Sequence, residues 1–514
     1  MHIGIDVGGT NTDAVIVQDG RVLARAKRPT SGDVLSGIRA ALAALRDAAP
    51  AHFAMSRAVM LGTTHFTNAV VSANGLSRTA AVRLGLPAAR AIPALSDWPR
   101  RLVEAIGRHV YEAHGGREFD GRPISPLDPA ELRTIAADIR AQKIEAVAIT
   151  GIFAPLAPDD ELMARDILAA ELPGVRFTLS HQIGRVGLLE RENATIINAA
   201  LLKLASHTTD AFEAALSDSG LSVPLYLTQN DGTLMDVATA RAFPVTTFSS
   251  GPTNSMRGAA LLSGLRDCIV VDIGGTTADV GILVDGFPRA AAAHVDVGGV
   301  RTNFRMPDLL PLGIGGGSLV DLASNEVGPA SVGYRLTEQA RVFGGDILTA
   351  TDVAVAAGVV EIGDGALTGI GTTQARAILD RIAARIAEAA DMMRTSPDPI
   401  PVVLVGGGAI LIDGDLPGLG PVVRPRDADV ANAVGAAIAQ VGGEVDKVIH
   451  LEGLDRTATL AAIAEEARRR AVDAGAVPDT VNLLELEETP LAYLPGDCVR
   501  IRAKAVGDLA LEER

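Results

Sequence analysis

The stretch Asp6-Val7-Gly8-Gly9-Thr10-Asn11-Thr12-Asp13 runs on to Asp19-Gly20, and Asp272-Ile273-Gly274-Gly275-Thr276-Thr277-Ala278-Asp279 runs on to Asp285-Gly286. A shift of 266 positions lays one on the other with eight identities in fifteen positions, so the chain carries a single strand–turn–strand unit twice. Each copy starts in an apolar strand (Ile3–Val7, Ile269–Ile273) and ends in Asp-Gly, a dipeptide that favours a tight hairpin turn.

The residue types at the first turn have a chemical logic. Adjacent glycines let backbone N–H groups approach an anion with no Cβ in the way, and the threonine adds a hydroxyl donor. An aspartate at the end of the preceding strand repels phosphate but suits Mg²⁺, directly or through water. Two such loops facing each other would cradle one polyphosphate from both sides.

Outward from the hairpins, the composition fits a large α/β protein. At 514 residues the chain needs more than one core, and with 48% hydrophobic but only 3% aromatic residues those cores must be built from Ala, Val, Leu and Ile. The net charge of −16, with no concentrated run of Lys and Arg, argues against nucleic-acid binding. Cys268 and Cys498 are too few for a disulfide framework or a zinc ribbon. No apolar run approaches the roughly 20 residues that span a bilayer. The chain opens on the strand His2–Ile5 without a charged leader, so a cytoplasmic location and no membrane partner are expected.

Along the chain, helical spacing marks Asp33–Leu45, Pro129–Gln142, Asp159–Glu171, Glu190–Leu216 and Thr372–Ala390. Residues 87–126 read as an irregular, lid-like excursion. A strand Val402–Val405 ends in Gly406-Gly407-Gly408, and the tail after Gly442 reads as a small appended unit with one charged helix. The expected divisions are 1–190, 191–440 and 441–514.

The paired hairpins resemble those of the actin, Hsp70 and sugar-kinase superfold. That resemblance implies an α/β, two-lobed actin-like ATPase fold of duplicated ribonuclease H-like domains with a small C-terminal α/β extension. It also places an adenosine loop at Gly406-Gly407-Gly408. Further motifs narrow it: Gly62-Thr63-Thr64 with Thr67-Asn68, Leu189-Glu190-Arg191-Glu192-Asn193-Ala194-Thr195, Ser249-Ser250-Gly251-Pro252, Asp272–Val280 and Gly315-Gly316-Gly317-Ser318. With these the chain resembles the hydantoinase A/oxoprolinase family, whose members hydrolyse cyclic amides with ATP. Three details depart from the family pattern: Leu61 precedes Gly62-Thr63-Thr64, with His65 after it, the glycine–serine loop begins Gly313-Ile314, and the adenosine-loop region lacks the usual Gly-Ala-Gly-Pro.

The resemblance implies ATP and Mg²⁺ as cofactors, with Asp6 and Asp272 serving the metal and Asp6, Asp272, His65 and Glu192 as catalytic candidates. Nucleotide would be held by Gly8, Gly9, Thr10, Asn11, Asp13, Gly274, Gly275, Thr276, Thr277, Asp279, Gly315, Gly316, Gly317 and the adenosine loop. Substrate candidates are Thr63, Thr64, Asn68, Asn193 and Ser250. A hydantoinase B-type partner subunit and self-association are the expected protein partners. A transition metal has only His294 and Asp296 to offer, and two ligands do not make a site. Two other activities fit the same motifs: a small-molecule kinase, which would release a stable phosphorylated product, and a reactivating or chaperone ATPase indifferent to cyclic amides.

Overall fold

The computed structural model describes residues 1–29, 34–184, 186–291, 294–491 and 497–511. Strands β1 (His2–Val7), β2 (Asn11–Gln18) and β3 (Arg21–Pro29) form an antiparallel meander, and β4 (Val59–Thr63) adds parallel to β1. Asp19 (φ 48°) and Gly20 (φ 73°) both take positive φ, as the two-residue Asp-Gly hairpin requires. The meander is covered on both faces, so its strands read as near-continuous apolar runs. Ala14 and Ile16 pack with Ile38 and Leu42 of the helix Val34–Ala48, while Val15 and Val17 pack with Ala433 and Val434 of the helix Ala431–Ala437. The Asp33 expected to start the first of these helices lies outside the described residues.

A separate four-stranded sheet follows: β5 (Thr79–Leu86), β6 (His109–His114), β7 (Ala146–Gly151) and β8 (Arg176–Leu179), all parallel in the order β6-β5-β7-β8. The segment read as irregular therefore holds a short helix, Arg100–Ile106, and the edge strand β6. The polar alternation of His109-Val110-Tyr111-Glu112-Ala113-His114 suits a half-exposed edge. The 31-residue helix Leu188–Asp218 packs on this sheet and continues across to the first one. Strands β9 (Leu225–Thr228) and β10 (Thr233–Asp236) then extend the first sheet beside β4.

The second lobe repeats the meander as β11 (Cys268–Ile273), β12 (Ala278–Val284) and β13 (Phe287–Pro288), with Asp285 (φ 53°) and Gly286 (φ 80°) in the turn. A hairpin of β14 (Val295–Val297) and β15 (Val300–Thr302) comes next, then β16 (Leu309–Leu312), which pairs with β12. A second hairpin, β17 (Ser318–Asp321) and β18 (Glu326–Ser331), precedes β19 (Val402–Val405) and β20 (Val422–Val423), which add parallel to β11. The orders β3-β2-β1-β4-β9 and β13-β12-β11-β19-β20 match strand for strand and sense for sense. This is the duplicated ribonuclease H-like unit of the actin-like fold.

The lobes meet where the helices Ser250–Ser263 and Ala431–Ala437 cross. A Cβ on Gly258 would lie 1.9 Å from the Ala431 carbonyl oxygen, and one on Gly435 would lie 1.8 Å from that of Asn254. Only glycine permits this backbone contact.

The tail continues the first sheet. Its strands β21 (Gln440–His450), β22 (Asn482–Pro490) and β23 (Cys498–Gly507) extend the sheet past β10, through the pairs Thr233↔Gln440 and Leu234↔Val441. Its own core joins Ile463 and Ala467 of the helix Arg456–Asp473 to Val445 and Ile501 of the strands. Sheet membership thus interleaves segments that a linear division of the chain keeps apart.

Candidate functional site

Both phosphate-type turns are closed by the same bond. Gly8 N–H donates to the Asn11 carbonyl at 3.0 Å, and Gly274 N–H donates to the Thr277 carbonyl at 2.8 Å. Cross-strand register sets Asp6 opposite Asp13 and Asp272 opposite Asp279, so each hairpin carries a carboxylate pair at its tip. The tips touch across the cleft: a Cβ on Gly275 would lie 2.5 Å from Thr10 Oγ1. Between them lies a cavity of about 360 Å³, in the range of small-ligand sites.

The sequence candidates that line this cavity are Asp6, Gly8, Gly9, Thr10, Asn11, Asp13, Thr64, Asp272, Gly274, Gly275, Thr276, Thr277, Asp279, Gly316, Gly406, Gly407 and Gly408. Gly406 has φ 84°, and a Cβ there would meet Asp272 Oδ1 at 2.3 Å, so the glycine loop after β19 passes directly over the second carboxylate pair. Gly315 and Gly317 do not line the cavity. They brace the second turn from behind: Gly317 N–H donates to the Gly275 carbonyl (2.7 Å), and a Cβ on Gly315 would lie 2.5 Å from Thr276 N, while Gly316, which does line the cavity, donates its N–H to the Gly274 carbonyl (3.0 Å).

Burial makes the carboxylates reluctant to ionise without a cation. Asp6 is pushed up to about 7 by desolvation, aided by the charges of Asp13 and Asp272. Asp279 is likewise raised to about 7 by burial and by Asp272, while Asp272 and Asp13 are raised mainly by burial. Asp6 Oδ2 accepts from Asn432 Nδ2 at 2.9 Å. Its Oδ1 is buried beside the Asn254 amide, which also donates to Thr228 Oγ1 at 2.9 Å.

The buried Asp6 carboxylate and the facing aspartates form an all-oxygen donor set suited to a hard cation. Among the described residues no three His, Cys, Asp or Glu side chains converge to hold a metal ion directly. The arrangement therefore fits Mg²⁺, which keeps several waters and binds through one or two carboxylates plus phosphate oxygens.

Two family models match the chain, one for the hydantoinase/oxoprolinase N-terminal region over residues 2–172 and one for hydantoinase/oxoprolinase over residues 191–398. The chain belongs to the hydantoinase/oxoprolinase family. Among curated relatives it is 28% identical over 411 residues to caprolactamase subunit alpha of Pseudomonas jessenii, covering 75% of this chain and 58% of that one. It is 25% identical over 256 residues to the acetophenone carboxylase gamma subunit of Aromatoleum aromaticum, covering 47% and 35%. The matched stretch thus spans little more than half of the first of these relatives, and less of the second. The fold is shared with the crystal structure of ATP-dependent caprolactamase from Pseudomonas jessenii, at TM-score 0.79 and 20% identity over 99% of this chain and 88% of that one. A nucleotide-free acetone carboxylase structure aligns at TM-score 0.71 and 19% identity, again over 99% and 88%.

In this hydantoinase/oxoprolinase chain most of the other candidates are occupied structurally. Glu192, proposed from sequence as catalytic, is buried away from the cleft. It pairs with Arg83 of β5, whose Nε donates to Glu192 Oε1 at 2.8 Å, and both side chains are 2% exposed. Arg191 is equally buried, donating to Ser180 Oγ at 2.9 Å and to the Val186 carbonyl at 2.7 Å. Asn193 accepts from Trp98 Nε1 (2.8 Å) and donates to the Arg301 carbonyl (2.9 Å).

Ser250 Oγ bridges to the backbone of Thr63 (3.3 Å to its carbonyl), and Thr63 Oγ1 accepts from His65 N–H at 3.1 Å. Gly62 leaves room for the Asp6 carboxylate, since a Cβ would approach Asp6 Oδ1 to 2.5 Å. His65 opens the helix His65–Ser72 outside the cavity, and burial lowers the pKa of its imidazole. Asn68 donates to Thr64 Oγ1 at 3.4 Å. His294 and Asp296 serve their own hairpin: Asp296 Oδ1 accepts from Gly299 N–H at 2.7 Å, and His294 Nδ1 lies 3.4 Å from Arg301.

Several lining residues were not picked out from sequence. Lys27, Asp429 and Asn432 add charge and an amide in the first lobe, Ser255 adds a hydroxyl, and Leu336, Phe343, Ile362 and Ile410 make an apolar wall in the second. Among the described residues no helix is long and apolar enough to cross a membrane.

Proposed function

We propose that this chain is the ATP-using component of a cyclic-amide hydrolase. In this reading a hydantoin, 5-oxoproline or related lactam is phosphorylated on its amide oxygen and then opened by water. The observation that carries the reading is the pair of identically closed turns, each with its carboxylate pair, facing one cavity that Leu336, Phe343, Ile362 and Ile410 also line.

Mg·ATP, when bound, supplies the phosphoryl group and the charge neutralisation that its transfer needs. The backbone N–H groups of Gly9, Thr10, Gly275 and Thr276, left over once Gly8 and Gly274 have closed the turns, would grip phosphate oxygens, and the hydroxyls of Thr10, Thr276 and Thr277 add donors. Asp6 and Asp272 are the residues that would hold the cation. Phe343, Ile362 and Ile410 cover the base beside the glycines at 406–408. Thr64, next to Gly251 and Pro252 on the first-lobe side, marks the wall that the acceptor amide approaches.

A B-type partner subunit completes the reaction in this reading, in keeping with relatives whose names mark them as subunits. The test is phosphate release and ring opening against a panel of hydantoins, lactams and 5-oxoproline, with and without ATP, for the chain alone and with its partner subunit. ATP-dependent ring opening with free phosphate is expected. A stable phosphorylated product would make the chain a kinase, and indifference of every ring to ATP would overturn the reading.

A further inference from the structure

The charge around the cleft is lopsided. Among the described residues lining it, five are aspartates (Asp6, Asp13, Asp272, Asp279 and Asp429) and one, Lys27, is cationic. A polyphosphate entering such a site meets net repulsion, so the position of the single ammonium matters. Asp429 is already satisfied by Arg25 at 2.6 Å.

Lys27 stands on β3 directly opposite Asp13 on β2, with Nζ 2.6 Å from Asp13 Oδ1. The carboxylate is sealed, its side chain 5% exposed, whereas the lysine side chain is 33% exposed and reaches the cavity. An ammonium has three donors, and Asp13 is the one charged partner of Lys27 among the described residues. The bond to Asp13 fixes a flexible side chain in one direction and leaves donors for a ligand.

The location also selects which end of a ligand it meets. The apolar wall of the cavity, Leu336, Phe343, Ile362 and Ile410, and the glycine loop over Asp272 all belong to the second lobe. Lys27 belongs to the first, beside Gly8, Gly9 and Thr10. A nucleoside triphosphate laid with its base on the apolar wall points its terminal phosphate at the first lobe.

We propose that Lys27 contacts the terminal phosphate of the bound nucleoside triphosphate and that Asp13 is the positioning residue that aims it. The inference rests on the reading of the cleft as an ATP site. During transfer the bond from the bridging oxygen to the terminal phosphorus breaks, its electron pair stays on the diphosphate, and a new bond forms from the acceptor oxygen. Lys27 keeps its protons throughout and offsets the charge on the terminal phosphoryl oxygens.

The experiment compares Mg·ADP with a non-hydrolysable Mg·ATP analogue by calorimetry, alongside phosphate release, for wild type, Lys27→Met and Lys27→Arg. Lys27→Met should keep its Mg·ADP affinity within about threefold, lose about tenfold for the triphosphate, and release phosphate about a hundredfold more slowly. Lys27→Arg should recover part of the preference for triphosphate over diphosphate.

Because Lys27→Met strands a buried carboxylate, the double variant Lys27→Met/Asp13→Asn repeats the measurement without that strain and should give the same loss of preference. An unchanged ratio of triphosphate to diphosphate affinity in the double variant, or an equal fall in both affinities, would overturn the assignment. Wild type that binds neither nucleotide would instead overturn the ATP reading on which it rests.

Discussion

The two hairpins share a frame and differ in what stands opposite their second aspartate. Asp13 faces Lys27 across β3, whereas Asp279 faces Pro311 across β16. Asp6 receives an amide from Asn432, while Asp272 has the hydroxyl of Ser255 as its neutral hydrogen-bonding partner. The first lobe therefore carries its own counter-charge, and the second leaves its carboxylate pair to be neutralised by what binds. Duplication supplied the turn geometry; the neighbouring strand decided the electrostatics.

The largest break in that comparison is Asp272→Asn. It should lower Mg·ATP turnover by about 10²–10³ or more, as removal of a key electrostatic group at a phosphoryl-transfer site does, while leaving the melting temperature level or higher. A drop in stability parallel to the drop in turnover would assign Asp272 a structural role.

A carboxylate outside the cleft provides the opposite pattern. Arg83→Met leaves Glu192 buried and unpaired and should cost about 3–5 kcal/mol in urea unfolding, with turnover per folded molecule close to wild type. Loss of turnover without loss of stability would return Glu192 to the catalytic set.

A smaller effect comes from giving the second hairpin what the first already has. Pro311 is exposed, so Pro311→Lys places an ammonium opposite Asp279 and should weaken the Mg²⁺ requirement of nucleotide binding by about tenfold. An unchanged Mg²⁺ titration would mean that Asp279 does not contribute to the cation's field.

The comparison also has a pH dependence. Asp6 and Asp279 have folded-state values near 7, above the unfolded 3.8, so the folded chain binds more protons than the unfolded one between those limits. Stability of the ligand-free protein should therefore fall as pH rises from about 4 to 7, and saturating Mg·ATP should oppose the fall. Melting curves from pH 5 to 8, with and without Mg·ATP, check the sign.

The hairpins, their Asp-Gly turns and the glycine loop after β19 were legible because local chemistry dictates them: φ > 0 at Asp19 and Gly20, and a strand that must end where Gly406 passes Asp272. Lys27 was not legible, for a specific reason. The turn at Asp19-Gly20 alone would pair Asp13 with Ala26; a bulge after Ile16 shifts the register and brings Lys27 opposite instead. Glu192 misled because a helix-start motif of charged residues looks the same whether it faces solvent, a ligand or a buried Arg83 contributed by a strand 109 positions away. Asn432 and the apolar wall come from segments joined to the hairpins only by the fold, and no spacing in the chain announces them. The parallel sheet β5–β8 was obscured at its edge by the polar alternation of β6.

The most direct test of the account is a calorimetric titration of ATP into the wild-type chain with and without Mg²⁺. If the two hairpins form one cation-dependent nucleotide site, the titration should give one ATP per chain and an affinity at least about tenfold weaker without Mg²⁺. Two independent sites, binding indifferent to Mg²⁺, or no binding at all would contradict it.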